Sequence, residues 1–426
     1  VRGEIKMRTI DDFTVPKEYI SPENKYIGGI VREFVDEEVM PYRRKFDEDW
    51  KELKYARDLL KKVEVGLGLQ KALWPVEFGG WGMGSSDYVG VISMRMFEEL
   101  ARGDTALALT FGANFWAPLA ITAKPHINRE LCAELAPMFC DTNELRLTCL
   151  AMTEPQGGSD IENVDAEHGR TIQTTAELDG DEWVINGHKI WPSNSGEAYL
   201  YAVICTTKRG SRDDKDIAYI YVPRDTKGLK VGEPYHKAGI SFDANTDIWF
   251  DDVRVPKMYR AWGPGDDAKY FKEVTNWGSM AGAYSLGPMI NTYEVLKDYC
   301  EKKTFHGKPL KENHAVAGVL SDIAMDIEVT RILGYQYGRM LDRPEIYGDR
   351  WSPEITAHGK IFKNFAAERA VDVSNKAMDI MGLYGPDRDH DMEKNWRDIK
   401  MTQLWEGGKQ LGQAEIARYF YECETL

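Results

Sequence analysis

Cysteine is scarce in this chain, and none of it is paired in sequence. The six cysteines (Cys132, Cys140, Cys149, Cys205, Cys300 and Cys423) are scattered over 426 residues without a CxxC spacing. That excludes a small disulfide scaffold and points to a reducing, cytoplasmic compartment in which buried thiols act as small hydrophobes. Positive charge is also in the minority: Lys+Arg total 54 against 69 Asp+Glu, a net charge of −15. With no long basic run, general nucleic-acid binding is excluded, although a local basic pocket for a nucleotide-like ligand is not. The eight histidines show no HxxxH or HxH spacing, so no metal site is expected. No GxSxG elbow or recognised cysteine-nucleophile motif occurs, which argues against hydrolases. The first residues, Val1 to Lys6, carry no apolar signal core.

Long apolar runs are missing too. Thr105–Ala123 is free of charge but contains Asn114 and Pro118, and Val274–Tyr293 is interrupted by Gly278, Gly282 and Gly287. A spanning helix needs about 20 mainly apolar residues, so both read as buried helices and no integral membrane segment is expected. What is present is ordinary for a soluble protein with real cores: 43% hydrophobic and 29% charged residues.

The texture changes twice along the chain. Residues 1–148 carry helical periodicity, as in Ile30-Val31-Phe34-Val35-Val39. Residues 149–262 hold short β-branched and aromatic runs such as Trp183-Val184-Ile185, Tyr199–Cys205 and Ile217–Val222, separated by turn signals. Among these, Asn186-Gly187 between two apolar runs predicts a hairpin turn. Residues 263–426 return to long helical patterns, such as Ala315–Met340 and Phe362–Met381. Helices, then strands, then helices make an α+β chain, mostly α, and argue against a doubly wound nucleotide fold.

Among possible sites, Gly79–Gly84 does not follow a strand and fits no phosphate-loop pattern, so it reads as a structural turn. Asp387–Asp391 starts like a calcium loop but has Met392 where that loop needs glycine, so it reads as a solvated charged loop. Two stretches carry more chemistry. In Met152–Asp160, Gly157 and Gly158 allow backbone N–H groups to approach a ligand. In the later Asn186–Asn194 stretch, Trp191 offers a flat face and Ser193 a hydroxyl. In Trp405-Glu406-Gly407-Gly408, a carboxylate is followed by two glycines that let a substrate come close to the backbone.

Taken in order, these stretches resemble the acyl-CoA dehydrogenase family. The resemblance runs from about residue 27 through Pro75-Val76-Glu77-Phe78-Gly79-Gly80, Thr153–Asp160, Asn186–Trp191, Phe250–Pro256, Lys303-Thr304-Phe305, Arg397-Asp398 and Trp405-Glu406-Gly407. It implies a helical N-terminal domain, a central β-barrel-like domain and a C-terminal four-helix bundle, with non-covalent FAD between the last two and a homotetramer. Glu406 matches the family's catalytic base, which removes the α-proton of an acyl-CoA thioester while the flavin takes the β-hydride.

Cofactor contacts carried over by the resemblance are Leu150, Met152, Thr153, Gly158, Ser159, Trp191 and Ser193, with Gly408 and Gln410 on the adenosine side. Lys302, Thr304 and Phe305, together with Asp379, Gly382 and Leu383, match segments that reach the FAD of a neighbouring subunit. Ser159, Phe111, Ala113, Trp277 and Gly407 fall at substrate positions. The chain departs from the family at Gly278, where an arginine near the base is usual. It departs again at Lys302, where arginine is usual, and at Asp379, where glutamine is.

The uncharged, aromatic stretch Leu109–Trp116 and Trp277 suggest a short, wide pocket for a cyclic, branched or aromatic-bearing acyl group, or else simply core. Asp104-Thr105-Ala106 lacks the arginine that a dicarboxyl substrate would need. An electron-transferring flavoprotein is the acceptor the family implies. Two other readings stay open on the same scaffold: an acyl-CoA oxidase, and a non-catalytic family member serving as an assembly subunit.

Overall fold

The computed structural model describes residues 17–85, 89–123, 126–158, 161 and 172–423. The first layer is helical. α1 (Pro22–Phe34) starts where the Ser21 side chain accepts from the Asn24 N–H. α2 (Val89–Gly103) and α3 (Thr105–Thr122) follow, separated by Asp104, which caps α3 by accepting from Ala106 N–H at 2.8 Å. α3 reaches the length and hydropathy of a membrane-crossing helix, more than its composition suggested, yet 89% of that span is buried inside the protein.

The strands come next: β1 (Leu147–Ala151), β2 (Thr175–Asp179), β3 (Glu182–Ile190), β4 (Ala198–Thr206), β5 (Ile217–Pro223), β6 (Leu229–Val231) and β7 (Asp247–Pro256). They form one curled mixed sheet in the order β1-β4-β2-β3-β7-β6, with β5 paired to β4. β1 runs parallel to β4, whereas β2–β3, β3–β7 and β4–β5 are antiparallel. The hairpin expected at Asn186-Gly187 is not there. β2 and β3 turn instead at Gly180, whose φ is +64°, and β3 passes through Asn186-Gly187 with a bulge against β7. Gly187 is needed for close approach: a Cβ there would lie 2.6 Å from Thr174 Cα.

The longer helices after the sheet are α4 (Asp266–Gly278), α5 (Gly282–Lys302), α6 (His314–Asp342), α7 (Pro353–Met381), α8 (Met392–Thr402) and α9 (Gly408–Tyr421). Val274–Tyr293 therefore breaks at Ser279–Ala281, and all of it is buried except Tyr293, which is half-buried. α5, α6 and α7 pack together, with α8 and α9 laid against α7. Small residues set the spacing: a Cβ on Gly287 of α5 would strike Ala101 of α2 at 2.4 Å. The Gly79–Gly84 stretch is a turn folded over Trp74, and a Cβ on Gly80 would meet the Trp74 carbonyl oxygen.

Buried charges join these layers. Arg331 of α6 pairs with Glu98 of α2, and both are fully buried. Lys394 of α8 bridges Asp104 at 2.8 Å and Asp398 at 2.6 Å, and Asp398 also accepts from Ile240 N–H in the β6–β7 loop at 2.7 Å. The sheet and the helical bundle are thus held face to face by hydrogen-bonded carboxylates.

Candidate active site

Where sheet and bundle meet lies a cavity of about 610 Å³. Its sheet-side wall begins at the end of β1. Leu150 and the following Met152 and Thr153 face the cavity, and the chain then doubles back through a tight turn in which Glu154 and Gly157 exchange backbone hydrogen bonds. That turn is locked from below. Glu154 is buried, accepts from the N–H groups of Gln173 (2.7 Å) and Thr174 (3.0 Å), and pairs with the fully buried Lys189 at 2.8 Å. Lys189 also donates to the Met152 carbonyl at 2.7 Å. Burial alone would raise the Glu154 carboxyl, but the Lys189 charge and these donors hold it below its ordinary range. Gly158 also lines the cavity, with Thr153 packed where its side chain would be.

Past β3 the wall continues in a tense segment. Trp191 and Asn194 both take φ of +65°, which costs non-glycine residues energy. Trp191 stacks on Tyr235 at 4.1 Å, remains 47% exposed and lines the cavity. Ser193 Oγ donates to Asp243 Oδ2 at 2.9 Å, and Asn194 N–H donates to Asp243 Oδ1 at 2.9 Å. Lys237 donates to the Asp243 carbonyl at 2.5 Å and to Asn245 Oδ1, while Asn245 Nδ2 donates to the Trp191 carbonyl at 2.8 Å. Burial pulls the Lys237 ammonium below its usual range, against the opposing pull of Asp243 and Asp398. The sequence reading missed Lys237, Asp243 and Asn245, all of which line the cavity. The available signal was the polar density of the loop between β6 and β7, which has no periodicity to mark it.

The bundle-side wall is the turn between α8 and α9. Glu406, Gly407 and Gly408 have φ of +49°, +70° and +61°, three left-handed residues in a row. Two glycines make this affordable, and Glu406 is the residue held against its preference. Glu406, Gly407, Gly408 and Gln410 all line the cavity, opposite Leu150, Met152, Thr153, Trp191 and Ser193. The carboxylate lies over the end of α4, where Gly278 leaves it room. Its charge is felt by Tyr284, whose hydroxyl is pushed well above its usual range chiefly by burial and further by Glu406.

The other expected site residues lie elsewhere. Phe111 and Ala113 are buried at 0% and 1% exposure and do not line the cavity. Phe111 faces the core, with ring centroids 4.7 Å from Phe115 and 6.0 Å from Phe97, and the cavity is lined from α3 by Leu109 and Trp116 instead. Trp277 is likewise packed away, under the Arg350 guanidinium. Lys302, Thr304 and Phe305 sit at the end of α5 and its short hairpin, with Lys302 paired to Asp298 at 2.7 Å. Asp379 is in the last turn of α7, and Gly382 and the 92% exposed Leu383 follow it. None of these six lines the cavity. Ser159 lies outside the described residues.

Comparison with known proteins agrees along the length of the chain. Three family models match in order: acyl-CoA dehydrogenase N-terminal domain over residues 21–138, middle domain over 149–253 and C-terminal domain over 269–420. The cyclohexane-1-carbonyl-CoA dehydrogenase of Syntrophus aciditrophicus is 30% identical over 358 residues, covering 83% of this chain and 85% of that protein. The human mitochondrial short-chain specific acyl-CoA dehydrogenase is 28% identical, covering 91% and 87% respectively. The butyryl-CoA dehydrogenase structure from Megasphaera elsdenii superposes with a TM-score of 0.82 at 23% identity, covering 94% of this chain and 99% of that one, and shows the same fold.

Proposed function

Because this chain belongs to the acyl-CoA dehydrogenase family, and so is an oxidoreductase, we propose that it introduces an α,β double bond into the thioester of a short, broad acyl group, with Glu406 as the base. The observation that carries this reading is the left-handed turn that holds Glu406 at the cavity, across from Trp191 and Ser193.

The residues present fit FAD. Leu150, Met152 and Thr153 offer an apolar edge, Trp191 an exposed flat face, Gly158 a side-chain-free approach and Ser193 a hydroxyl. Gly408 and Gln410 extend the same surface along the start of α9. Bound there, FAD supplies the acceptor for the β-hydride. Glu406 takes the α-proton, which is only weakly acidic and needs a positioned base. The backbone around Glu406 and Gly407 meets the thioester without side-chain obstruction, so proton removal is chiefly a matter of proximity.

Two observations support a short and broad acyl group. Behind Trp405 the space is filled by Tyr284, Phe97 and Phe111, with Tyr284 at 5.9 Å from Trp405 and 5.1 Å from Phe97. In addition, the relatives from Syntrophus and Geobacter, at 30% and 31% identity, carry the name cyclohexane-1-carbonyl-CoA dehydrogenase. Asp104 in turn caps α3 and pairs with Lys394, so the stretch that would need an arginine for a distal carboxylate carries an aspartate instead.

The same reading takes residues 1–148, 149–262 and 263–426 as three domains of a cytoplasmic homotetramer that passes its electrons to an electron-transferring flavoprotein. The exposed Phe305 and Leu383, remote from this chain's own cavity, are where a second copy would be met.

The test is anaerobic addition of cyclohexane-carbonyl-, butyryl- and long straight-chain acyl-CoA to the purified flavoprotein, following the oxidised-flavin absorbance. Bleaching by the cyclic thioester first is expected, and Glu406→Gln should abolish it while the flavin stays bound. Bleaching by the long straight chain alone would overturn the substrate class; no bleaching by any thioester would overturn the reaction.

A further inference from the structure

Lys363 of α7 is 1% exposed, an unusual place for an ammonium group. Its Nζ donates to the carbonyl of Trp405 at 2.9 Å and to the carbonyl of Gly408 at 3.1 Å. Those two carbonyls bracket Glu406 and Gly407, so a single buried cation clasps the whole left-handed turn from beneath. The next residues of α7 extend the grip outward. Asn364 Nδ2 donates to the Lys409 carbonyl at 3.1 Å, and Glu368 accepts from Gln403 and from Lys409, each at 3.0 Å.

The clasp answers a problem that the turn creates for itself. A glutamate at φ +49° is in a conformation it does not favour, and the adjoining glycines restrain it little. Within the turn, Gly408 N–H donates to the Trp405 carbonyl at 2.9 Å. The Trp405 carbonyl therefore accepts from both Gly408 and Lys363, and the second bond is charge-assisted and dry. α9 begins at Gly408, so the positive end of a 14-residue helix faces the same turn.

We propose that Lys363 is a positioning residue for the reaction: by holding the carbonyls on either side of Glu406 it fixes where the carboxylate points. It acts through the backbone, by the two carbonyls that it holds. This rests on the reading of Glu406 as the base.

The experiment compares wild-type holoenzyme with Lys363→Met, which keeps the length and loses the donors. Steady-state kinetics per bound flavin are measured with whichever acyl-CoA bleaches the wild type, alongside hydrogen–deuterium exchange over residues 403–410. The expected result is a fall in kcat of about a hundredfold, the scale of a small misplacement of a reacting group. KM should stay within a few-fold, the flavin spectrum should be unchanged, and exchange should be faster at the turn and nowhere else. A purely packing role would lower the yield of folded protein without separating kcat from KM. If Lys363→Met does not fold, Lys363→Leu, which also removes the donors, is read in the same way; failure of both to fold overturns the assignment. An active wild type whose variant keeps its kcat and its exchange pattern overturns this inference alone. A wild type that turns over no thioester overturns the reading of Glu406 as base, and this inference with it.

Discussion

A Cβ built on Gly278 would lie 3.0 Å from Oε1 of Glu406. The last residue of α4 therefore sets the floor under the carboxylate, although more than a hundred positions separate the two in sequence. Gly278→Ala is expected to push the carboxylate aside and lower kcat about tenfold. Its backbone is helical, where alanine is favoured over glycine by about 1 kcal/mol, so the same change should not lower the melting temperature. Kinetics and a thermal melt on one preparation check both halves, and an unaltered kcat would show that the floor is not needed.

Lys189 and Glu154 form a buried pair beneath the cavity wall, and breaking it from one side leaves a charge stranded. Lys189→Met is expected to cost about 3–5 kcal/mol, read as a shift in the denaturant midpoint. The pH dependence follows in sign. Glu154 sits below its ordinary value of 4.5 when folded, so its contribution is present above that value and is lost as the pH falls through the folded one. The wild type should lose stability more steeply below pH 4.5 than a Lys189→Met/Glu154→Gln double variant; parallel curves would refute the pairing as a source of stability.

Glu64 has the opposite sign. It is fully buried, and burial pushes its carboxyl up to about 8, with the nearby Asn114 amide pulling only slightly the other way. Between pH 4.5 and 8 the unfolded chain has released this proton while the folded protein retains it. Stability from this group is thus greatest in acid and falls by up to about 1.4 kcal/mol per pH unit across that window. Glu64→Gln removes the dependence, so its advantage over wild type should widen from pH 5 to pH 8 in urea titrations; a constant difference would count against a protonated Glu64.

Asp243 places a carboxylate behind Ser193 at the cavity wall. With FAD bound as proposed, a negative charge there opposes uptake of electrons. Asp243→Asn should raise the flavin midpoint potential by about 30 mV, the equivalent of about 1.4 kcal/mol for a two-electron couple. Redox titration with dyes reads it directly, and an unmoved or lowered potential would refute an effect of the Asp243 charge on the flavin.

Much of this architecture is written locally. Short β-branched and aromatic runs mark β3, β4 and β5, at Trp183-Val184-Ile185, Tyr199–Cys205 and Ile217–Val222. Gly407 and Gly408 make the turn at Glu406 legible because few other residues can take positive φ twice in succession. What stayed hidden depends on direction. α3 is buried on almost every side, so its apolar pattern gives no hint that Leu109 and Trp116 face the cavity while Phe111 faces the core. Asn186-Gly187 reads as a turn because that is its commonest local use; here a distant neighbour, Thr174, requires the glycine. Lys237 and Asp243 find each other only when their loop folds on itself.

The cavity's two walls are far apart in time as well as in sequence. Leu150 to Ser193 leave the ribosome more than two hundred residues before Glu406 and the start of α9. A nascent chain that has completed the sheet, and even α7 with Lys363, still lacks Glu406, the base proposed above. On that reading a chain stopped before Trp405 carries the sheet-side wall without the carboxylate, an inert look-alike rather than a half-active enzyme.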